Sequence, residues 1–131
     1  MNGPVLSVVV PTRNRARPLH RCLASLETAN RAVEGPVEVL VVDDASTDDS
    51  AAVAGEFAGV RLIRRDVDGG SSAARNDAVA VAGAPLILFV DDDIVVEEDL
   101  VWRHLEHHRR HPQTEEAVSY THLTLPTILL V

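Results

Sequence analysis

Four short runs of branched apolar residues constrain this chain more than any other feature: Val5-Leu-Ser-Val-Val-Val10, Val37-Glu-Val-Leu-Val-Val42, Val60-Arg-Leu-Ile63 and Leu86-Ile-Leu-Phe-Val90. The first, second and fourth are almost continuously apolar, as strands covered on both faces must be, so they predict a parallel sheet. Parallel neighbours need crossovers of a dozen or more residues, usually helical. The intervening segments supply them. Leu19, Cys22, Leu23 and Leu26 fall at i, i+3, i+4 and i+7, with Pro18 suited to a first helical turn, and Cys22 therefore reads as core packing. Ser46 and Asp49 resemble a capping pair that opens a second helix carrying Val53 and Phe57. Gly69-Gly70-Ser-Ser72 leads into a third helix over residues 73–82, and a fourth spans residues 99–108 and stops before Pro112. This alternation predicts a doubly wound α/β layer with right-handed crossovers, in which ligands sit beyond the carboxyl ends of the strands.

Composition narrows the chemistry. The 131 residues, 46% of them hydrophobic, suffice for one small domain. Twenty acidic residues against twelve basic ones give a net charge of −8, which repels a phosphate backbone and argues against nucleic acid as a partner. All twelve basic residues are arginines, and without lysine neither a P-loop nor a receiver-type phosphoacceptor site can be built. Cys22 is the single cysteine, so no internal disulfide forms and a reducing compartment is compatible. No apolar run approaches the roughly 20 residues of a membrane span, and Val5 to Val10 is too short for a signal-peptide core. The expectation is a cytoplasmic chain with no membrane segment, any membrane association of a full-length protein arising downstream.

The end of the chain departs from this pattern. Val118-Ser-Tyr-Thr-His-Leu-Thr-Leu-Pro-Thr127 has neither helical nor strand periodicity, and its Thr-Leu usage differs from the Ala, Val, Arg and Asp usage before it. Back-translated, it resembles a transposase-type sequencing adapter. The expected organisation is one domain over residues 1–117, incomplete at its C-terminus, followed by a non-native tail over residues 118–131. Such a half-sheet is expected to leave an open edge and uncovered helix faces.

Polar residues gather where the runs end. Pro11-Thr-Arg-Asn-Arg15 follows the first, Asp43-Asp44-Ala-Ser46 the second and Asp91-Asp92-Asp93 the fourth, and the predicted topology brings all three to one edge. Adjacent carboxylates repel one another, which a bound cation would relieve. On an extended backbone Asp91 and Asp93 point one way and Asp92 the other, an Asp-x-Asp pattern whose few hard oxygen ligands suit Mg²⁺ or Mn²⁺. A solvated acidic turn is the plain alternative. Arg75 and Asn76 follow Gly69-Gly70, where a helix start offers free N–H groups to an anion, so Arg75 is expected to meet a phosphate. Glu97-Glu-Asp99 suits the positive end of a helix dipole. His104, His108 and His111 share a helical face without His-Glu-x-x-His spacing and read as a solvated face.

Val8-Val-Val-Pro-Thr-Arg-Asn14, Val41-Val-Asp-Asp-Ala-Ser-Thr-Asp48, Ala74-Arg-Asn76 and Phe89-Val-Asp-Asp-Asp93 together resemble the successive motifs of family-two glycosyltransferases with the GT-A fold. The resemblance implies a Rossmann-like α/β three-layer sandwich with a mostly parallel sheet. It implies metal-dependent transfer of a sugar from a nucleotide-diphosphate donor, a UDP-sugar in particular, to a hydroxyl of a glycan, lipid or small-molecule acceptor. By resemblance, Pro11, Thr12 and Arg13 line the nucleotide pocket, Asp44 accepts a hydrogen bond from the base, and Arg75 lies beside the nucleotide. Asp91 and Asp92 would lie near the ribose, and Asp93 would bind the Mn²⁺ or Mg²⁺ that bridges the diphosphate. The general base of the inverting members is a carboxylate far downstream, expected beyond residue 117, so donor binding without turnover is expected of this fragment. A non-catalytic nucleotide-sugar-binding module would take the same ligand. A haloacid-dehalogenase-like phosphatase would use Asp91 as nucleophile and Asp93 as acid and base, but that motif belongs on a first strand and its later lysine is absent.

Overall fold

The computed structural model of the chain describes residues 3–110, 117–119 and 127–130. The elements run β1 (Leu6–Thr12), α1 (Ala16–Asn30), β2 (Val37–Asp44), α2 (Ser50–Gly55), β3 (Val60–Arg65), α3 (Gly70–Val81), β4 (Leu86–Phe89) and α4 (Leu100–Arg110), followed by β5 (Ala117–Ser119) and β6 (Thr127–Leu130). They form one sheet in the order β3-β2-β1-β4-β6-β5. All neighbours are parallel except β5 and β6. The parallel α/β sheet expected from the apolar runs is therefore present.

Strand periodicity sorts the side chains onto two faces. On one face Val8, Val10, Val39, Val41 and Leu88 pack with Leu19, Cys22, Leu23 and Leu26 of α1, and with Val101 and Leu105 of α4. On the other, Val9, Leu40, Val42, Ile87 and Phe89 meet Ala74 and Ala78 of α3. This makes three layers. Small alanines let α3 lie close to the sheet, while leucines carry the thicker α1 side. Each fully buried Leu or Ile contributes about 1.5–3 kcal/mol. Strand β3 is half exposed, which explains why its run is interrupted by Arg61: an edge strand tolerates a charge that a central strand does not.

Several boundaries differ from the periodicity. Strands β1 and β2 continue through their polar ends, because Pro11 pairs with Val42 and Thr12 with Asp43 in unbroken register. Helix α2 begins at Ser50 rather than after Ser46, whose hydroxyl is committed to another loop, and Phe57 lies beyond it while still packing on the core. The four-strand sheet with an open edge is also revised: β6 pairs with β4 in parallel, and β5 pairs with β6. Strand β5 thus overlaps the start of the segment without strand periodicity, and β6 runs from its last residue, Thr127, to Leu130. His111 and residues 120–126 lie outside the described residues. Among the described residues, no helix is long and apolar enough to cross a membrane.

Candidate functional site

The chain proceeds from β1 outward through β2 to β3, then returns to place β4 on the other side of β1. Helices α1 and α4, which follow β1 and β4, pack on one face while α3, which leads into β4, packs on the other, and this reversal of strand order beside β1 leaves a crevice at the carboxyl ends of β1 and β4. Thr12 and Asp92 close its floor: Thr12 Oγ1 donates to Asp92 Oδ2 at 2.8 Å, and both residues are buried. Two adjoining cavities, of about 250 and 290 Å³, open here. Arg75, Asp91 and Asp93 line the first, and Thr12, Arg13, Asp44 and Ala74 the second; Pro11, Arg15 and Asp92 belong to both. The residues expected to hold the nucleotide or the metal, Pro11, Thr12, Arg13, Asp44, Arg75, Asp91, Asp92 and Asp93, each line one or both, whereas Asp43 and Asn76 line neither.

The acidic residues do not converge on one point, however. Among the described residues, no group of three or more His, Cys, Asp and Glu is arranged to hold a metal. The expected mutual repulsion is answered instead by arginines. Asp43 is fully buried with Arg64 Nε 3.5 Å from its Oδ2, and Arg65 Nε donates to Asp44 Oδ1 at 2.9 Å while its Nη1 pairs with Asp77. Arg15 Nη1 faces Asp93 Oδ2 at 3.4 Å and Asp92 Oδ1 at 3.9 Å. Strand β4 ends at Phe89, and Asp92 and Asp93 form a turn in which Ile94 N–H donates to Asp91 O at 3.2 Å. The turn still buries Asp92 and exposes Asp91 and Asp93, the division expected of an extended backbone.

The start of α3 also differs from expectation. The amides of Gly69 and Gly70 are not left free for a phosphate: Gly69 N–H donates to Asp44 Oδ1 at 3.1 Å and Gly70 N–H to Asp44 Oδ2 at 3.0 Å. The glycine pair is required for reasons internal to the chain. A Cβ at Gly69 would collide with the Arg65 guanidinium, and Gly70 has φ +83°, in the left-handed region. Arg75 lies over the Phe89 ring, its Cζ 5.4 Å from the centroid, in the second turn of α3 rather than at its start.

These contacts set the protonation states. Burial opposes ionisation of Asp44, but the amides of Gly69 and Gly70, with Asp68 and Arg65, outweigh it and hold the carboxyl below the usual carboxylate range. Asp92 moves the other way: burial raises it, and the Thr12 hydroxyl and Arg15 offset that rise only in part, while Asp93 and Asp91 add to it.

A side-chain latch joins the loops after β1 and β2. Asn14, at φ 52°, accepts the Thr47 N–H on Oδ1 at 2.8 Å and the Asp48 N–H at 3.3 Å, while its own N–H donates to Ser46 Oγ at 2.9 Å. The Arg15 N–H donates to Ser50 Oγ at 3.1 Å, and Asp48 Oδ1 accepts the Ser50 hydroxyl at 2.6 Å and its N–H at 2.9 Å. Arg15, Arg65, Asn14 and Asp48 were not singled out from the sequence. The signal for Asn14 and Asp48 was present, since Asn tolerates the left-handed region and Asp bonds to nearby backbone N–H groups. Nothing in the spacing points to Arg65.

Comparison with known proteins agrees with the fold. The chain is 38% identical over 108 residues to a PGL/p-HBAD biosynthesis glycosyltransferase of Mycobacterium tuberculosis, covering 79% of this chain and 41% of that protein. It is 32% identical over 101 residues to the glycosyltransferase GlyG of Streptococcus pneumoniae, covering 74% and 33%. Among solved structures, Staphylococcus aureus TarS 1-349 in complex with UDP-GlcNAc superposes with a TM-score of 0.73 at 27% identity, over 86% of this chain and 32% of that one. The mannosyltransferase PcManGT of Pyrobaculum calidifontis, in complex with GDP-Man and Mn²⁺, superposes with a TM-score of 0.66 at 26% identity, over 75% and 30%. The chain thus spans less than half the length of these relatives. Glycosyl transferase family 2 matches residues 7–119, a range that includes all four motifs, and the chain belongs to that family.

Proposed function

We propose that the chain forms the donor-binding part of a metal-dependent glycosyltransferase, which moves a sugar from a nucleoside diphosphate to an acceptor hydroxyl. The observation that carries this reading is the gathering of Pro11, Thr12, Arg13, Asp44, Arg75, Asp91, Asp92 and Asp93 around two adjoining cavities at the topological switch point. Asp44, ionised and fixed by its amide contacts, offers an acceptor to a base N–H. Arg75 and Arg13 supply positive charge to the nucleotide, and Asp91 and Asp92 face the ribose. A UDP-sugar is the donor we favour, because TarS is described with UDP and UDP-GlcNAc and PcManGT with GDP-Man. The acceptor is a glycan, a lipid or a small molecule.

The donor set suits Mg²⁺ or Mn²⁺: hard carboxylates are exposed at Asp91 and Asp93, and such ions commonly bind one or two carboxylates together with substrate phosphates rather than a complete protein cage. Held by Asp93, the metal would stabilise the negative charge that develops on the departing diphosphate. No described residue is assigned as the general base, and we expect donor binding without turnover from this chain alone. We also propose that residues 118–131 are not native, which reading the gene across codon 117 tests.

Titration calorimetry with UDP and Mn²⁺ tests the donor site. Asp93→Ala is expected to abolish the metal-dependent part of UDP binding, and Asp44→Ala to weaken UDP binding with or without metal. Unaltered binding in both variants rejects the assignment. Phosphatase activity without UDP affinity would favour the dehalogenase-like reading, which is weakened by the three βα units that precede the acidic triplet after β4.

A further inference from the structure

The positive charge facing the acidic triplet is supplied by the chain itself. Arg15 Nη1 lies 3.4 Å from Asp93 Oδ2 and 3.9 Å from Asp92 Oδ1. Its backbone is anchored: the N–H donates to Ser50 Oγ, and the carbonyl accepts the Leu19 N–H at 2.9 Å in the first turn of α1. Its side chain is 53% exposed and borders both cavities, so the guanidinium has room to swing from one to the other on a fixed root. A guanidinium and a divalent cation cannot occupy the same carboxylate oxygens without strong repulsion. We propose that Arg15 is the resident counter-ion of the Asp92–Asp93 edge and competes with the divalent cation for it, which makes Arg15 a determinant of cation loading. The inference takes the identity of the cation from the donor-site reading above. Displaced from the carboxylates, the guanidinium, which borders both cavities, stays within reach of the diphosphate that the cation would hold, and that charge answers its own, so nucleotide and cation favour each other's binding.

The test titrates Mn²⁺ into the full chain, with and without UDP, and follows the electron paramagnetic resonance signal of the free ion. Arg15→Gln is expected to bind Mn²⁺ about three- to tenfold more tightly than the unaltered chain, the range for removing a partly exposed competing charge. Arg15→Lys, which keeps the charge, is expected to stay within about twofold of the unaltered chain. Arg31→Gln, which removes an equal charge from the exposed pair with Glu27 and lines neither cavity, should do likewise. Equal or weaker Mn²⁺ affinity in Arg15→Gln, or no Mn²⁺ bound by either protein, overturns the inference. A parallel titration with UDP separates the two claims. Failure of UDP to bind either protein removes the donor reading while the Mn²⁺ comparison still decides the role of Arg15; UDP bound by both, with unchanged Mn²⁺ affinity, removes the role of Arg15 alone.

Discussion

Cys22 and Asp44 sit close to the same rim and are driven in opposite directions by their surroundings. Burial, then the charges of Asp92, Asp93 and Asp91, push the Cys22 thiol up to about 12. An acid that is weaker in the folded chain holds its proton longer there. Its contribution to stability is therefore complete below pH 9, the ordinary thiol value, and is lost as pH rises toward 12. Urea unfolding should show stability falling by up to about 1.4 kcal/mol per pH unit above that value, a slope that Cys22→Ala removes. Iodoacetamide at pH 8 should leave native Cys22 unmodified and label it on unfolding; labelling at the same rate in both states would contradict its place in the core. The burial of Cys22 was legible from helical spacing, since an i, i+3, i+4, i+7 stripe leaves little choice of face. The partners of Asp44 were not. Gly69 and Gly70 were read as a cradle for an external phosphate, whereas the anion they hold belongs to the chain, and no local pattern distinguishes the two cases.

Among the elements, the connection between the β1 and β2 loops matters more than either loop alone. Asn14 supplies an acceptor to the Thr47 amide and occupies a backbone conformation that alanine adopts with strain. Asn14→Ala is expected to cost about 1–3 kcal/mol in urea unfolding and to weaken UDP binding, because the loop carrying Arg13 and Arg15 loses its tie to the loop carrying Asp44. Asn14→Asp keeps both the acceptor and the tolerance of positive φ and should restore most of both. Equal losses in the two variants would show that the latch does not act through the Asn14 oxygen. The elements were readable where one period dominates a segment, as in β1, β2 and α1. The start of α2 was misplaced because Ser46 fits two uses, a helix cap or a bond to another loop, and the choice rests on Asn14, 32 positions away.

For the molecule as a whole, the two-sided burial of the central strands carries stability. Leu88 on β4 is fully buried between Val8 and the α1 side of the core, so Leu88→Ala should lower the unfolding free energy by about 2–5 kcal/mol. A loss below about 1 kcal/mol would mean that the α1 face is not the principal core. The layered architecture followed from the apolar runs, because covered strands in parallel admit few arrangements. The strands β5 and β6 did not, since both are short, β5 opens a segment without period, and their pairing depends on the free edge of β4. The hydrogen bond between Thr12 and Asp92 spans 80 positions. During synthesis the hydroxyl of Thr12 emerges long before its acceptor, and β1 must wait for β4 before its second flank is covered. The rim is therefore completed late in the growth of the nascent chain, and a ribosome stalled short of β4 would display a half-covered β1 and an unfinished crevice.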